Sequence, residues 1–172
     1  MKTTAIGTIL TLAMTAGACA QGYQSPAASA SATINGKKIT IDYHAPSLHG
    51  RKMIGGSAVP YGHWWRTGAN DATLLTTEGT LQIGDLTVPP GKYTIYSIPA
   101  ADGFTLIVNK KTGQWGTEYD QSQDLGRVKM TVSHPSAPIE TFKISLANSG
   151  GSQGTLTIQW QDMSATIPFT VQ

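Results

Sequence analysis

Apolar residues in this chain recur at every second position in short runs, and nearly every run is closed by glycine or proline. Lys38–Tyr43 (KITIDY), Phe104–Asn109 (FTLIVN) and Leu156–Trp160 (LTIQW) all show it. A period of two is that of a pleated strand with one buried face, whereas an amphipathic helix needs a period near 3.6. No helical pattern longer than a turn or two interrupts the series, so the chain is restricted to an all-β fold.

The turn chemistry orders these strands. Asn35-Gly36 tolerates the left-handed backbone of a tight hairpin, although the first strand has the alternative of crossing to another sheet. Gly84-Asp85 and Pro89-Pro90-Gly91 are further turns, and Asn148–Gly154 reads as an exposed hairpin loop. Strand patterns also fall on Ala72–Thr77, Leu81–Ile83, Leu86–Val88, Arg127–Val132, Thr141–Leu146 and Thr166–Val171. Lys92–Ile98 (KYTIYSI) carries apolar mass on both faces, as a central strand covered on two sides does. Pro168 points to an edge or a bulge in the last strand. About nine or ten short strands with hairpin connections predict an antiparallel two-sheet β-sandwich with a long packed loop, a partly open β-barrel being the alternative.

Before the strands, Lys2, the apolar run Ala5–Met14 and the small residues Ala16–Ala20 have the order of a secretory signal with an Ala18-Cys19-Ala20 cleavage site. This predicts a signal peptide over 1–20, a flexible segment over 21–31 and a single β-domain over 32–172. The expected location is exported and periplasmic. Lipid anchoring through Cys19 is the less favoured route, because Ala16 stands where a branched apolar residue is usual. In the favoured reading the single cysteine leaves with the signal, so stability rests on the core rather than on a disulfide.

Periodicity fails from Ser47 to Ala69, and that irregular stretch holds the densest side-chain chemistry. Tyr61, Trp64 and Trp65 stand beside Arg51, Lys52, His63, Arg66 and Asn70, followed by Asp71. A second irregular stretch, Lys110–Gly126, holds Trp115, Glu118, Tyr119, Asp120 and Asp124. Long loops without regular structure are uncommon unless packed or functional. An arginine fork stacks on an indole while pairing with a carboxylate or a polar edge. The candidate ligand-binding set is therefore Arg51, Tyr61, His63, Trp65, Arg66, Asn70, Asp71, Trp115, Tyr119 and Asp120, on the expectation that the two stretches meet at one end of the sheets. In the competing reading Arg66 pairs internally with Asp71, Asp120 or Asp124, and the loop is a cap.

Catalytic and metal patterns are weak. His44, His49, His63 and His134 lack metal-ligand spacing, and no His-Glu-x-x-His, Gly-x-Ser-x-Gly or phosphate-loop pattern occurs. No catalytic residue, metal or cofactor is assigned. Twelve basic against ten acidic residues, a net charge of +2, without basic clusters, gives no footprint for nucleic acid and no strong attraction to an anionic membrane. The mature chain has no candidate transmembrane segment.

The runs IDYHAPSLHGRKMIGG, VPYGHWWRTGANDAT, LTVPPGKYTIYSIP, FTLIVNKKTGQWGTEYD and QWQDMSATIPF closely resemble a bacterial family known as domain of unknown function 2911, over roughly Ser29 to Phe169. Its Gly-Arg, Pro-Tyr-Gly, Trp-Arg-x-Gly-Ala-Asn and Gln-Trp-Gly motifs fall on Gly50-Arg51, Pro60-Tyr61-Gly62, Trp65–Asn70 and Gln114-Trp115-Gly116. The position after the Asn, often Glu, is Asp71 here. The resemblance implies an exported or periplasmic protein and carries no activity or catalytic residues to transfer. The leading expectation is non-covalent binding of a glycan or small envelope ligand at the aromatic–arginine loop. An envelope hydrolase using Asp71 with Asp120 or His63, and a purely structural cap, are the alternatives.

Overall fold

Asn35 and Gly36 both adopt positive φ, 51° and 73°, the backbone of a type I′ turn, and so the first two strands close into a hairpin. The computed structural model describes residues 25–172; the expected signal peptide and Cys19 lie outside these. Eleven strands follow in order: β1 (Ala27–Ile34), β2 (Lys37–His44), β3 (Thr73–Thr77), β4 (Leu81–Ile83), β5 (Leu86–Val88), β6 (Gly91–Pro99), β7 (Phe104–Asn109), β8 (Asp124–Ser133), β9 (Ile139–Gly150), β10 (Gln153–Gln161) and β11 (Met163–Val171). A short 3₁₀ turn, Gln121–Gln123, precedes β8. β1 begins at Ala27, inside the span 21–31 read as a tether.

All pairings between the named strands are antiparallel, and they run as one continuous sheet, β1-β2-β3-β6-β7-β8-β11-β10-β9, with the β4–β5 hairpin attached to β11. The expected two-sheet sandwich is thereby corrected to the alternative, a nearly closed barrel with one open seam. β8 makes the difference. Its first part pairs with β7, up to Met130 opposite Phe104, and its last residues, Thr131–Ser133, pair with β11. One long bent strand thus joins what would otherwise be two sheets.

The seam lies between β1 and β9. Phe142 N–H donates to Pro46 O and Leu48 N–H to Glu140 O. Tyr43 Oη accepts from Ile144 N–H at 3.1 Å and lies 3.4 Å from Ile144 O. A phenol here takes the place of a backbone rung. Farther along, Asn148 Nδ2 donates to Thr33 O.

β6 is the central strand foreseen, with neighbours β3 and β7 and burial on both faces from Tyr93 to Ser97. Pro168 breaks no rung. It falls between the two stretches of β11, Ser164–Thr166 and Thr170–Val171, that pair with β8 and β4. The inner faces supply Ile39, Ile41, Leu75, Ile95, Leu106, Val108 and Ile158 to one core. A void of about 10 Å³ is bounded by Ile39, Ile41, Leu106 and Phe169, too small to hold more than one water. The inner faces otherwise pack against one another as a single apolar cluster.

Candidate functional site

One end of the barrel is closed by the long loop between β2 and β3. Trp65 forms an isolated bridge with Ser97 of β6, N–H to O in both directions at 2.7 and 2.9 Å. That bridge gives the loop strand alternation locally, so Trp65 turns inward and its neighbours turn out. Trp65 is 7% exposed. Its indole stacks on Trp160 (centroids 5.6 Å apart, planes at 15°) and meets Phe142 edge-on at 5.2 Å. Phe142 in turn meets Tyr43 at 5.6 Å. This cluster plugs the barrel.

Thr67 is fully buried with φ 53°, a backbone state that a β-branched residue rarely takes. Polar contacts hold it there. Its hydroxyl shares a 2.8 Å hydrogen bond with Ser97 Oγ, and Thr73 Oγ1 donates to its carbonyl at 2.8 Å. Gln161, the last residue of β10, accepts from Met53 and Ile54 N–H and donates to Ile54 O, tying down the middle of the same loop. Nothing in the local sequence marks Gln161 for this; the contact joins residues more than a hundred positions apart.

The second irregular stretch reaches the same end. Gly116 N–H donates to Asn70 O at 3.0 Å, Ala72 N–H to Gln114 O at 3.3 Å, and Trp115 bridges Asp71. Gly116 is required there: a Cβ would lie 2.6 Å from both Arg66 Cδ and Asn70 O. Tyr119 packs under Trp64 with centroids 5.0 Å apart, and both rest on Tyr96. Its hydroxyl donates to Asp124 Oδ2 at 2.8 Å and accepts from Arg127 Nη2 at 2.8 Å. Burial, then the Asp124 carboxylate, pushes the Tyr119 phenol up to about 12.

The short ladder 70–72 against 114–116 stands as a ridge between two clefts. On one side, a cleft of about 330 Å³ is lined by Arg51, Trp64, the edge of Trp65, Arg66, Asn70 and Thr117. On the other, a shallower cleft of about 580 Å³ over the outer face of β1–β3 contains Asp42, His44 and Asp71. Arg66, half-buried, forms neither an ion pair nor a hydrogen bond among the described residues, so none of the three foreseen carboxylates holds it. Asp124 is taken by Arg127 at 2.8 Å. Asp120 accepts from Ser122 N–H and Oγ, hydrogen bonds that keep its exposed carboxyl below the usual range. Desolvation lowers the Arg66 pKa from the ordinary guanidinium value, while an arginine remains cationic at neutral pH.

The ten candidate residues thus separate. Arg51, Trp65, Arg66 and Asn70 share the smaller cleft, with Asn70 Nδ2 donating to Ser25 O. Asp71 faces the other cleft. The ring of Tyr61 lies against Gly55, where a Cβ would come within 2.7 Å of it. Exposed His63, Trp115 and Asp120 line neither cleft, and Tyr119 supports Trp64 from below. Trp64, absent from the candidate set, is the indole that faces the cleft and solvent; nothing in the local sequence separates it from Trp65. Neither Asp120 nor His63 lines the cleft that contains Asp71. Among the described residues, no three His, Cys, Asp or Glu side chains converge as a metal needs.

A family model described as "Protein of unknown function (DUF2911)" matches residues 25–169. The chain belongs to the DUF2911 family. That match takes in every strand through β10, most of β11, and both stretches that build the barrel's capped end. No curated protein and no solved structure matches this DUF2911 chain.

Proposed function

We propose that this DUF2911 domain is a non-catalytic module whose aromatic–arginine loop works in two directions: inward as the cap of the barrel, outward as the contact surface for a glycan or another envelope component. The cap has the broader support, in the Trp65–Trp160 stack, the Thr67 contacts and the three hydrogen bonds that tie Gln161 to Met53 and Ile54. The outward role rests on one observation, the division between adjacent tryptophans. Trp65 is 7% exposed and Trp64 is 40%. Among the described residues the exposed large hydrophobics are Tyr61, Trp64 and Trp115, all on the two irregular stretches. Exposed apolar surface marks a contact site where it is contiguous, and an indole face suits a sugar ring. An exported location follows from the signal-like N-terminus; among the described residues no helix is long and apolar enough to cross a membrane.

Two alanine variants separate the roles. Trp65→Ala is expected to cost about 3–5 kcal/mol in urea denaturation, as loss of a buried indole does. Trp64→Ala should cost less, about 1–3 kcal/mol, the scale of its two ring contacts with Tyr96 and Tyr119, yet abolish retention on immobilised envelope polysaccharide. Unchanged retention by Trp64→Ala would leave the cap as the loop's whole role.

A further inference from the structure

We propose that the cleft beside Trp64 selects an anionic ligand, a saccharide ring bearing a carboxylate, held between the guanidinium groups of Arg66 and Arg51. The proposal rests on the binding reading above and adds the chemical class. Two arginines line this cleft and, among the described residues, no aspartate or glutamate does. The arginines differ in how they are held. Arg51 Nε and Nη2 donate to Leu48 O and Ser47 O at 2.9 and 3.0 Å, which fixes the plane and leaves the rest of its five donors free. Arg66 is placed by its stem, which lies against Gly116, while its head has no partner among the described residues.

Elsewhere the chain neutralises an arginine that it uses structurally: Arg127 Nε and Nη2 both donate to Asp124 Oδ2, at 2.9 and 2.8 Å. A partly desolvated guanidinium without a counter-charge costs free energy, and a bound carboxylate would recover it through paired, charge-assisted hydrogen bonds. Across the ridge the signs reverse. The larger cleft is lined by Asp42 and Asp71 and by no arginine or lysine, so it repels an anion that the smaller one attracts. Trp64 supplies the ring platform, and about 330 Å³ is at the small end for ligand clefts, fitting one or two sugar rings.

The test is calorimetric titration of the full domain with oligogalacturonate and with the same oligomers methyl-esterified, which keeps the rings and removes the charge. The acid form is expected to bind about ten- to a hundredfold more tightly, the range for hydrogen bonds to a charged group, and to weaken as salt rises. Arg66→Gln should remove that preference with the thermal midpoint retained, and Arg66→Lys should restore part of it. Equal binding of acid and ester, insensitive to salt, would overturn anion selection and leave the Trp64 surface standing. Inorganic phosphate competing as well as the oligomer would overturn the saccharide component. Binding of neither form overturns the proposal, and titration with neutral envelope polysaccharides then shows whether the binding reading fails with it.

Discussion

Gly116 and Arg66 show how much of the rim depends on single atoms. A methyl at 116 has nowhere to go, because one of its two 2.6 Å neighbours is the Asn70 carbonyl, a backbone atom. Gly116→Ala is expected to cost about 1–3 kcal/mol, the range for overpacking, measured by urea denaturation; wild-type stability would show that the two stretches do not touch. Tyr119 carries a pH signature. Its folded pKa, about 12, lies above the ordinary 10.0, so its contribution is complete below pH 10. Above that the unfolded chain ionises first, and stability falls as pH rises towards 12. Tyr93 and Tyr96 shift in the same direction through burial. Tyr119→Phe should flatten part of this alkaline loss, read as urea midpoints on either side of the window; an identical loss in the variant would contradict it.

At the scale of elements, the strands and hairpins were largely legible because their signals are local. The Asn35-Gly36 and Gly84-Asp85 turns join Ile34 to Lys37 and Ile83 to Leu86. The double apolar face of β6 likewise announced its central place. Closure was not legible. Whether ten-odd strands form two sheets or one barrel depends on where β8 bends and changes partner, and period two is the same in both. The alternation of Trp64 and Trp65 was hidden for a related reason: it exists only once Trp65 bridges Ser97, 32 positions away. Arg127, not Arg66, is the arginine that pairs with Asp124, a choice that spacing does not reveal. The seam offers its own test. Tyr43→Phe leaves Ile144 N–H without its acceptor, in a buried place, and should cost about 1–3 kcal/mol, with faster hydrogen exchange at the Ile144 amide. No change in that exchange would mean that backbone, not phenol, closes the barrel there.

Across the whole molecule, apolar side chains fill the interior, and the proposed contact surface lies outside it, at the capped end. Residues 61–70 and 114–120 build a single rim there, with Arg66 laid on Gly116 and its head unpaired among the described residues. Nuclear Overhauser contacts in the folded domain measure this most directly. Cross-peaks are predicted between the Trp64 indole and the Tyr119 ring, whose centroids are 5.0 Å apart, and between Arg66 Hδ and Gly116 Hα. Absence of both sets of cross-peaks, or an Arg66 side chain found against Asp71 or Asp120, would contradict the claim.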